Sequence, residues 1–128
     1  MSRRASAAAV RASEAVPVFA ALADATRLGL LRRLSVEGPL SITRLSEGTG
    51  VTRQAITRHL SALRKARLVR DLRHGRERMF DLDLKRLDVA RRYLDDVSAQ
   101  WDAAADRLRA FVEGDRLRAA TLPAKAEH

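Results

Sequence analysis

The chain has 128 residues, enough for one domain with a long helical appendage, and at 46% hydrophobic and 32% charged it has the make-up of a soluble globular protein. It contains no cysteine, which excludes disulfides, thiolate metal sites and thiol redox sensing, and no apolar run near the ~18–20 residues of a membrane span. The formal net charge of +9 is concentrated: residues 53–78 hold nine Arg or Lys against two acids, a net +7, a local block of the kind that meets a polyanion.

In chain order, residues 1–14 read as a flexible tail, whose Ala7–Val10 run is too short for a signal-peptide core. Pro17 is placed to open a helix through Phe19 and Leu22. Asp24 can cap the next helix, from Ala25 to Leu34, where Leu28, Leu31 and Leu34, with Leu30, recur at helical spacing until Glu37-Gly-Pro39 stops it. Ser41 caps a short helix from Ile42 to about Glu47, with Ile42 and Leu45 as its buried residues. Gly48-Thr-Gly50 then makes a turn, and Thr52 caps a helix running to Lys65.

That helix has two unlike faces. At 100° per residue Ile56, Leu60 and Leu63 form one apolar stripe, while Gln54, Arg58, Ser61 and Lys65, with Thr57 beside them, form a polar and basic face that has no acid. An ordinary amphipathic surface helix has the same build, so the neighbours decide. Helix, glycine-rich turn, helix is the supersecondary motif that presents its second helix to the major groove.

After Lys65 the period shifts toward two. Leu68–Leu72 and Arg78–Leu82 are short strand-like runs joined through Gly75, a hairpin with Arg73, Arg76 and Arg78 at or near its tip, either a wing or a solvated basic turn. The last element spans about residues 84–113. Its apolar positions follow a heptad, Leu87/Ala90, Leu94/Val97, Trp101/Ala104 and Leu108/Phe111, which asks for a partner helix from a second copy of the chain or from residues 16–35. Residues 114–128 read as a second tail.

This order of elements resembles the arsenical-resistance-repressor (ArsR) family of winged helix-turn-helix regulators. The resemblance rests on Phe19-Ala-Ala-Leu-Ala-Asp-Ala-Thr-Arg-Leu28, on Val51-Thr-Arg-Gln-Ala-Ile-Thr-Arg-His-Leu60, and on Leu63, Leu68-Val69 and Gly75-Arg76 leading to Phe80-Asp-Leu82, and it covers roughly residues 16–112. It implies a mainly α fold with a small β-hairpin, a winged helix-turn-helix domain over residues 15–113 whose long terminal helix makes a homodimer, and binding to an operator palindrome, usually as a repressor. The family's best-known members sense metals through cysteines near the helix before the recognition helix, where this chain has Leu40-Ser-Ile-Thr-Arg-Leu45. Others bind zinc through Asp and His on the terminal helices, where this chain has aspartates and no histidine. The resemblance therefore carries DNA binding and dimerisation, with no metal site and no cofactor. Ala25 stands where the family often has proline.

The residue-level expectations follow. Gln54, Thr57 and Arg58 are the base-edge candidates, since Gln matches the adenine edge and Arg the guanine edge bidentately. Thr52 and Arg53 at the helix start, and Ser61 and Lys65 further along, are candidates for backbone phosphate. Arg73, Arg76 and Arg78 are the wing candidates, and Arg27 is equally a phosphate contact or a helix-surface ion pair. His59 reads as a packed, hydrogen-bonded residue. The dimer candidates are Phe19, Leu22, Leu87, Leu94, Val97, Trp101, Leu108 and Phe111, with Trp101 an interface anchor rather than the border of an effector pocket. Double-stranded DNA and a second copy are the expected partners, without a membrane; no effector can be named, and the expected location is cytoplasmic. A winged-helix adaptor for an acidic protein partner and a non-specific architectural DNA binder are the alternatives. No nucleophile–base pair, phosphate-binding glycine loop or buried carboxylate pair points to an enzyme.

Overall fold

The computed structural model describes residues 3–121, with side chains from 7 to 120. Eight elements follow in order: α1 (Arg3–Leu22), α2 (Ala25–Glu37), β1 (Leu40–Ser41), α3 (Ile42–Ser46), α4 (Arg53–Lys65), β2 (Val69–His74), β3 (Glu77–Leu82) and α5 (Leu84–Thr121). The chain divides into two compact units, Met1–Tyr93 and Leu94–His128.

The first unit has a single core. Val18 of α1, Leu30 and Leu34 of α2, Leu45 of α3, Ile56, Leu60 and Leu63 of α4, and Leu68 and Phe80 from the sheet region are each at most 2% exposed. With so few aromatics in the chain, branched aliphatic side chains fill this space, each contributing roughly 1.5–3 kcal/mol on burial. Leu28, which shares the helical spacing of α2, is 52% exposed, so the buried stripe of α2 is Leu30, Leu31 and Leu34.

The three helix starts expected from local chemistry are formed by the residues named. The Asp24 carboxylate accepts from the Arg27 backbone N–H at 3.0 Å, the Ser41 hydroxyl from that of Arg44 at 3.2 Å, and the Thr52 hydroxyl from that of Ala55 at 3.1 Å. The hairpin forms in register, Val69↔Leu82 through His74↔Glu77, and gains a third strand: β1 pairs antiparallel with β3 through Leu40↔Phe80 and Ser41↔Met79. Two residues are too few for any periodicity to show, and β1 exists because β3 offers it an edge.

Both expected tails are partly helical. α1 begins at Arg3 and carries Pro17 in its interior, whereas proline was expected to open the helix. The run Ala7-Ala-Ala-Val10 and the alanines at 12 and 15 have the highest intrinsic helix propensity. Ala15, Val18 and Ala21, spaced by three, are buried on one face and offset the roughly 3 kcal/mol that an interior proline costs. At the other end α5 continues through Gly114 to Thr121, past the expected stop at 113, because one interior glycine costs only about 1 kcal/mol and good helix formers follow it. The outer parts of both tails, residues 1–2 and 122–128, lie outside the described residues.

The dimer candidates fall in both units. Phe19, Leu22 and Leu87 are half-buried against the core of the first, with the Phe19 ring edge-on to Tyr93 at 5.9 Å between centroids. In the second, Leu94, Trp101, Leu108 and Phe111 are 51–72% exposed and Val97 is half-buried. No helix among the described residues is long and apolar enough to cross a membrane.

Candidate nucleic-acid interface

The turn before α4 depends on two glycines. Gly48 and Gly50 have φ of 72° and 69°, left-handed values that side-chain-bearing residues rarely adopt. Thr49 between them locks the turn: its hydroxyl donates to the Ser46 carbonyl at 3.0 Å and accepts from the Val51 N–H at 3.2 Å. α4 therefore leaves the turn in a fixed direction, with Ile56, Leu60 and Leu63 at 0–1% exposure underneath.

The outer side of α4 carries the expected set. Thr52, Arg53, Gln54, Thr57, Arg58 and Lys65 are all exposed and Ser61 is half-buried. Thr57 donates its hydroxyl to the Arg53 carbonyl at 2.9 Å. No hydrogen bond or ion pair among the described residues engages the side chains of Arg53, Gln54, Arg58 or Lys65. The back of the helix is tied down instead. Arg27 donates from Nε to Nδ1 of His59 at 3.2 Å and from Nη1 to the Ala21 carbonyl at 3.3 Å. Arg27 thus points inward and links α4 to the α1–α2 junction, and His59 is the packed, hydrogen-bonded residue expected. The backbone N–H of Arg27 holds the Asp24 carboxyl below its ordinary range.

α4 ends in a Schellman motif. Leu68 N–H reaches the Leu63 carbonyl at 2.9 Å, Arg67 N–H reaches that of Arg64 at 3.0 Å, and Arg67 takes the left-handed position with φ 61°. Leu63 and Leu68, both fully buried, make the hydrophobic contact that accompanies it. This turn swings the chain from α4 straight into β2 and places the hairpin beside the helix.

Cross-strand partners share a face of the sheet. Val69, Asp71 and Arg73 therefore stand with Leu82, Phe80 and Arg78, and the buried pair Val69 and Phe80 marks that face as the inner one. Arg73 and Arg76 are exposed near the Gly75 turn and have no ion pair among the described residues. Arg78 differs. It donates from Nε at 2.8 Å and from Nη2 at 2.7 Å to Oδ2 of Asp71, and its guanidinium lies 5.1 Å from the Phe80 ring centre. Arg64 of α4 reaches the same oxygen at 3.4 Å. The Arg78 hydrogen bond holds the Asp71 carboxyl below the usual carboxylate range, and Asp71 in turn raises Arg78. Sequence reasoning missed Arg64 and Asp71. The available signal was strand alternation, which puts residues 71 and 73 on one face opposite residue 78.

A capped helix after a glycine turn, seated on α2 and α3 and flanked by a basic hairpin, defines a winged helix-turn-helix DNA-binding domain. A helix-turn-helix domain family matches residues 22–71. The HTH-type transcriptional regulator Rv2034 of Mycobacterium tuberculosis is 41% identical over 75 residues, 59% of this chain and 69% of that protein. Among solved structures, an ArsR-like transcriptional regulator from Rhodococcus sp. RHA1 is 33% identical with a TM-score of 0.67, over 77% of this chain and 92% of that one. The homodimeric winged helix-turn-helix DNA-binding domain Mb0332 from Mycobacterium bovis is 27% identical with a TM-score of 0.54, over 78% of this chain and 88% of that one. The chain belongs to the ArsR family of winged helix-turn-helix transcriptional regulators, which are not enzymes.

Proposed function

We propose that the protein is a homodimeric, sequence-specific repressor that binds an inverted-repeat operator through the major groove and acts without thiolate metal sensing. One observation carries this reading. The outward face of α4 presents Gln54, Thr57 and Arg58, exposed and acid-free, on a helix whose other face is locked into the core. Gln54 and Arg58 match adenine and guanine edges, with Thr57 beside them. Thr52, Arg53, Ser61 and Lys65 take backbone phosphates along the same helix, and Arg73, Arg76 and Arg78 take the flanking backbone or a narrow minor groove.

The apolar stripe of the second unit supports the dimer. Leu94, Trp101, Leu108 and Phe111 recur every seven or three residues and are all more than half exposed in the single chain. Contiguous apolar surface of that kind marks an interaction site. A second copy has the matching stripe, and the related Mb0332 domain is homodimeric. Phe19, Leu22, Leu87 and Val97 complete the interface from both units. On this reading the two copies of α4 enter successive major grooves about 34 Å apart, one turn of B-DNA. Repression follows from occupying promoter DNA, in the cytoplasm.

Selection of bound sequences from random duplexes at near-physiological salt tests this. Enrichment of an inverted repeat is the expected result. Salt-sensitive binding with no enriched motif contradicts it and favours a non-specific architectural role; binding to no duplex leaves the adaptor role.

A further inference from the structure

Between α4 and the hairpin lies a notch of about 150 Å³, to which the reading above brings Thr57, Ser61 and Arg78 but not Arg64 or Asp71. Leu60 and Phe80 form its apolar floor, and Thr57, Ser61, Arg64 and Arg78 its polar walls. Thr57, Ser61 and Arg64 are spaced four and three apart, so they form one row along the hairpin side of α4. A recognition helix in a major groove about 12 Å wide has a phosphate strand on each flank. On the docking proposed above, the strand on the hairpin side runs past this notch.

We propose that the notch seats one backbone phosphodiester of the DNA, held by Arg64 and Arg78, and that Asp71 is a built-in counter-anion limiting how strongly the seat attracts DNA of any sequence. The inference rests on the DNA-binding reading of α4. Donor accounting supports the seat. Arg64 gives Asp71 only Nη1, leaving Nε and Nη2, while Arg78 gives Nε and Nη2, leaving Nη1. Both arginine side chains are about half exposed, at 49% and 48%. Two cations against one carboxylate leave one positive charge for an incoming anion.

Asp71 has two opposed effects. Arg73 lies directly opposite Arg78 in the ladder, a like-charge pairing that is unfavourable without a nearby anion. Asp71 supplies that anion through its pair with Arg78, and ties Arg64 and Arg78 to one carboxylate oxygen. The same carboxylate repels the phosphate they would bind. The seat is thereby ordered before DNA arrives but kept at net +1 rather than +2, which weakens its pull on DNA of any sequence and makes binding less steeply dependent on salt.

Opposite substitutions test this, with affinity measured on the enriched duplex and on a scrambled one across a series of salt concentrations. Asp71→Asn is expected to tighten binding to both duplexes about two- to fivefold, the factor for an exposed charge pair, and to steepen the salt dependence. Arg64→Gln is expected to weaken both and to flatten the slope of log affinity against log salt by about one. Asp71 as a purely structural brace predicts the reverse sign, weaker binding in Asp71→Asn with its hairpin loosened. Weaker or unchanged binding by a folded Asp71→Asn protein, or an unchanged slope in Arg64→Gln, overturns the inference. Thermal melting reports folding, and where Asp71→Asn fails to fold the Arg64→Gln slope decides alone. If the unsubstituted protein binds neither duplex, the regulator reading falls as well; if it binds and prefers the enriched one while Arg64→Gln keeps its slope, only this inference falls.

Discussion

Leu60 of α4 and Trp101 of α5 each lie on the apolar stripe of an amphipathic helix, yet Leu60 is 1% exposed and Trp101 is 72% exposed. In the first unit the stripes of α1, α2, α3 and α4 cover one another and the inner face of the sheet closes the core. In the second, a stripe built by the same rules has nothing to cover it within the unit. Helical spacing states which face wants burial, and the surrounding elements decide whether the chain supplies the cover. One unit completes its own core and turns a polar face outward, and the other leaves its apolar face exposed, the surface proposed above to take a second copy.

The largest expected effect comes from opening the closed side. Leu60→Ala leaves a cavity beneath α4 and should destabilise the protein by about 2–5 kcal/mol, read as a lowered denaturation midpoint, with DNA binding lost in parallel. Breaking the open side should do something different. Trp101→Asp removes a central aromatic from the proposed dimer stripe at a cost of roughly 2 kcal/mol or more to association, seen by sedimentation as monomer. The near-native circular dichroism of that variant would show that the first unit keeps its fold. Substitution on the outward polar face should touch neither core nor dimer: Arg58→Ala is expected to lose about 1–3 kcal/mol of discrimination between operator and non-operator DNA at an unchanged melting temperature. An equal loss on both DNAs would reduce Arg58 to a phosphate clamp.

The smallest effect has the opposite sign. Arg67 occupies a left-handed position at the end of α4 where glycine is unstrained. Arg67→Gly should raise stability by up to about 1 kcal/mol, measured by denaturant titration, and no gain would mean the Arg67 side chain contributes contacts that offset its strain.

What could be read from the sequence was what local chemistry decides. Asp24, Ser41 and Thr52 cap helices because a short oxygen-bearing side chain beside a helix start has nearby N–H groups to accept from, and Gly48, Gly50 and Gly75 mark turns because their backbone conformations exclude most other residues. The apolar stripe of α4 and the polar set opposite it follow from one angle per residue. What escaped is non-local or is a balance of opposed terms. β1 needs β3 as a template, the inward turn of Arg27 needs His59 thirty-two residues away, and the Arg64–Asp71–Arg78 cluster needs the Schellman turn to fold the hairpin back on α4. Pro17 reads as a helix start only when the alanines before it are left out, and an end near residue 113 leaves out the helix formers that follow Gly114. In both places the stronger propensity of the flanking run won.

The most direct test of the division of labour is the stoichiometry of the protein on an enriched duplex, measured by sedimentation. The account predicts two chains on one inverted repeat with half-site centres about 10–10.5 base pairs apart, and one chain per half-site with much weaker binding for Trp101→Asp. A single unsubstituted chain bound to a solitary half-site, with Trp101→Asp binding equally well, would contradict it.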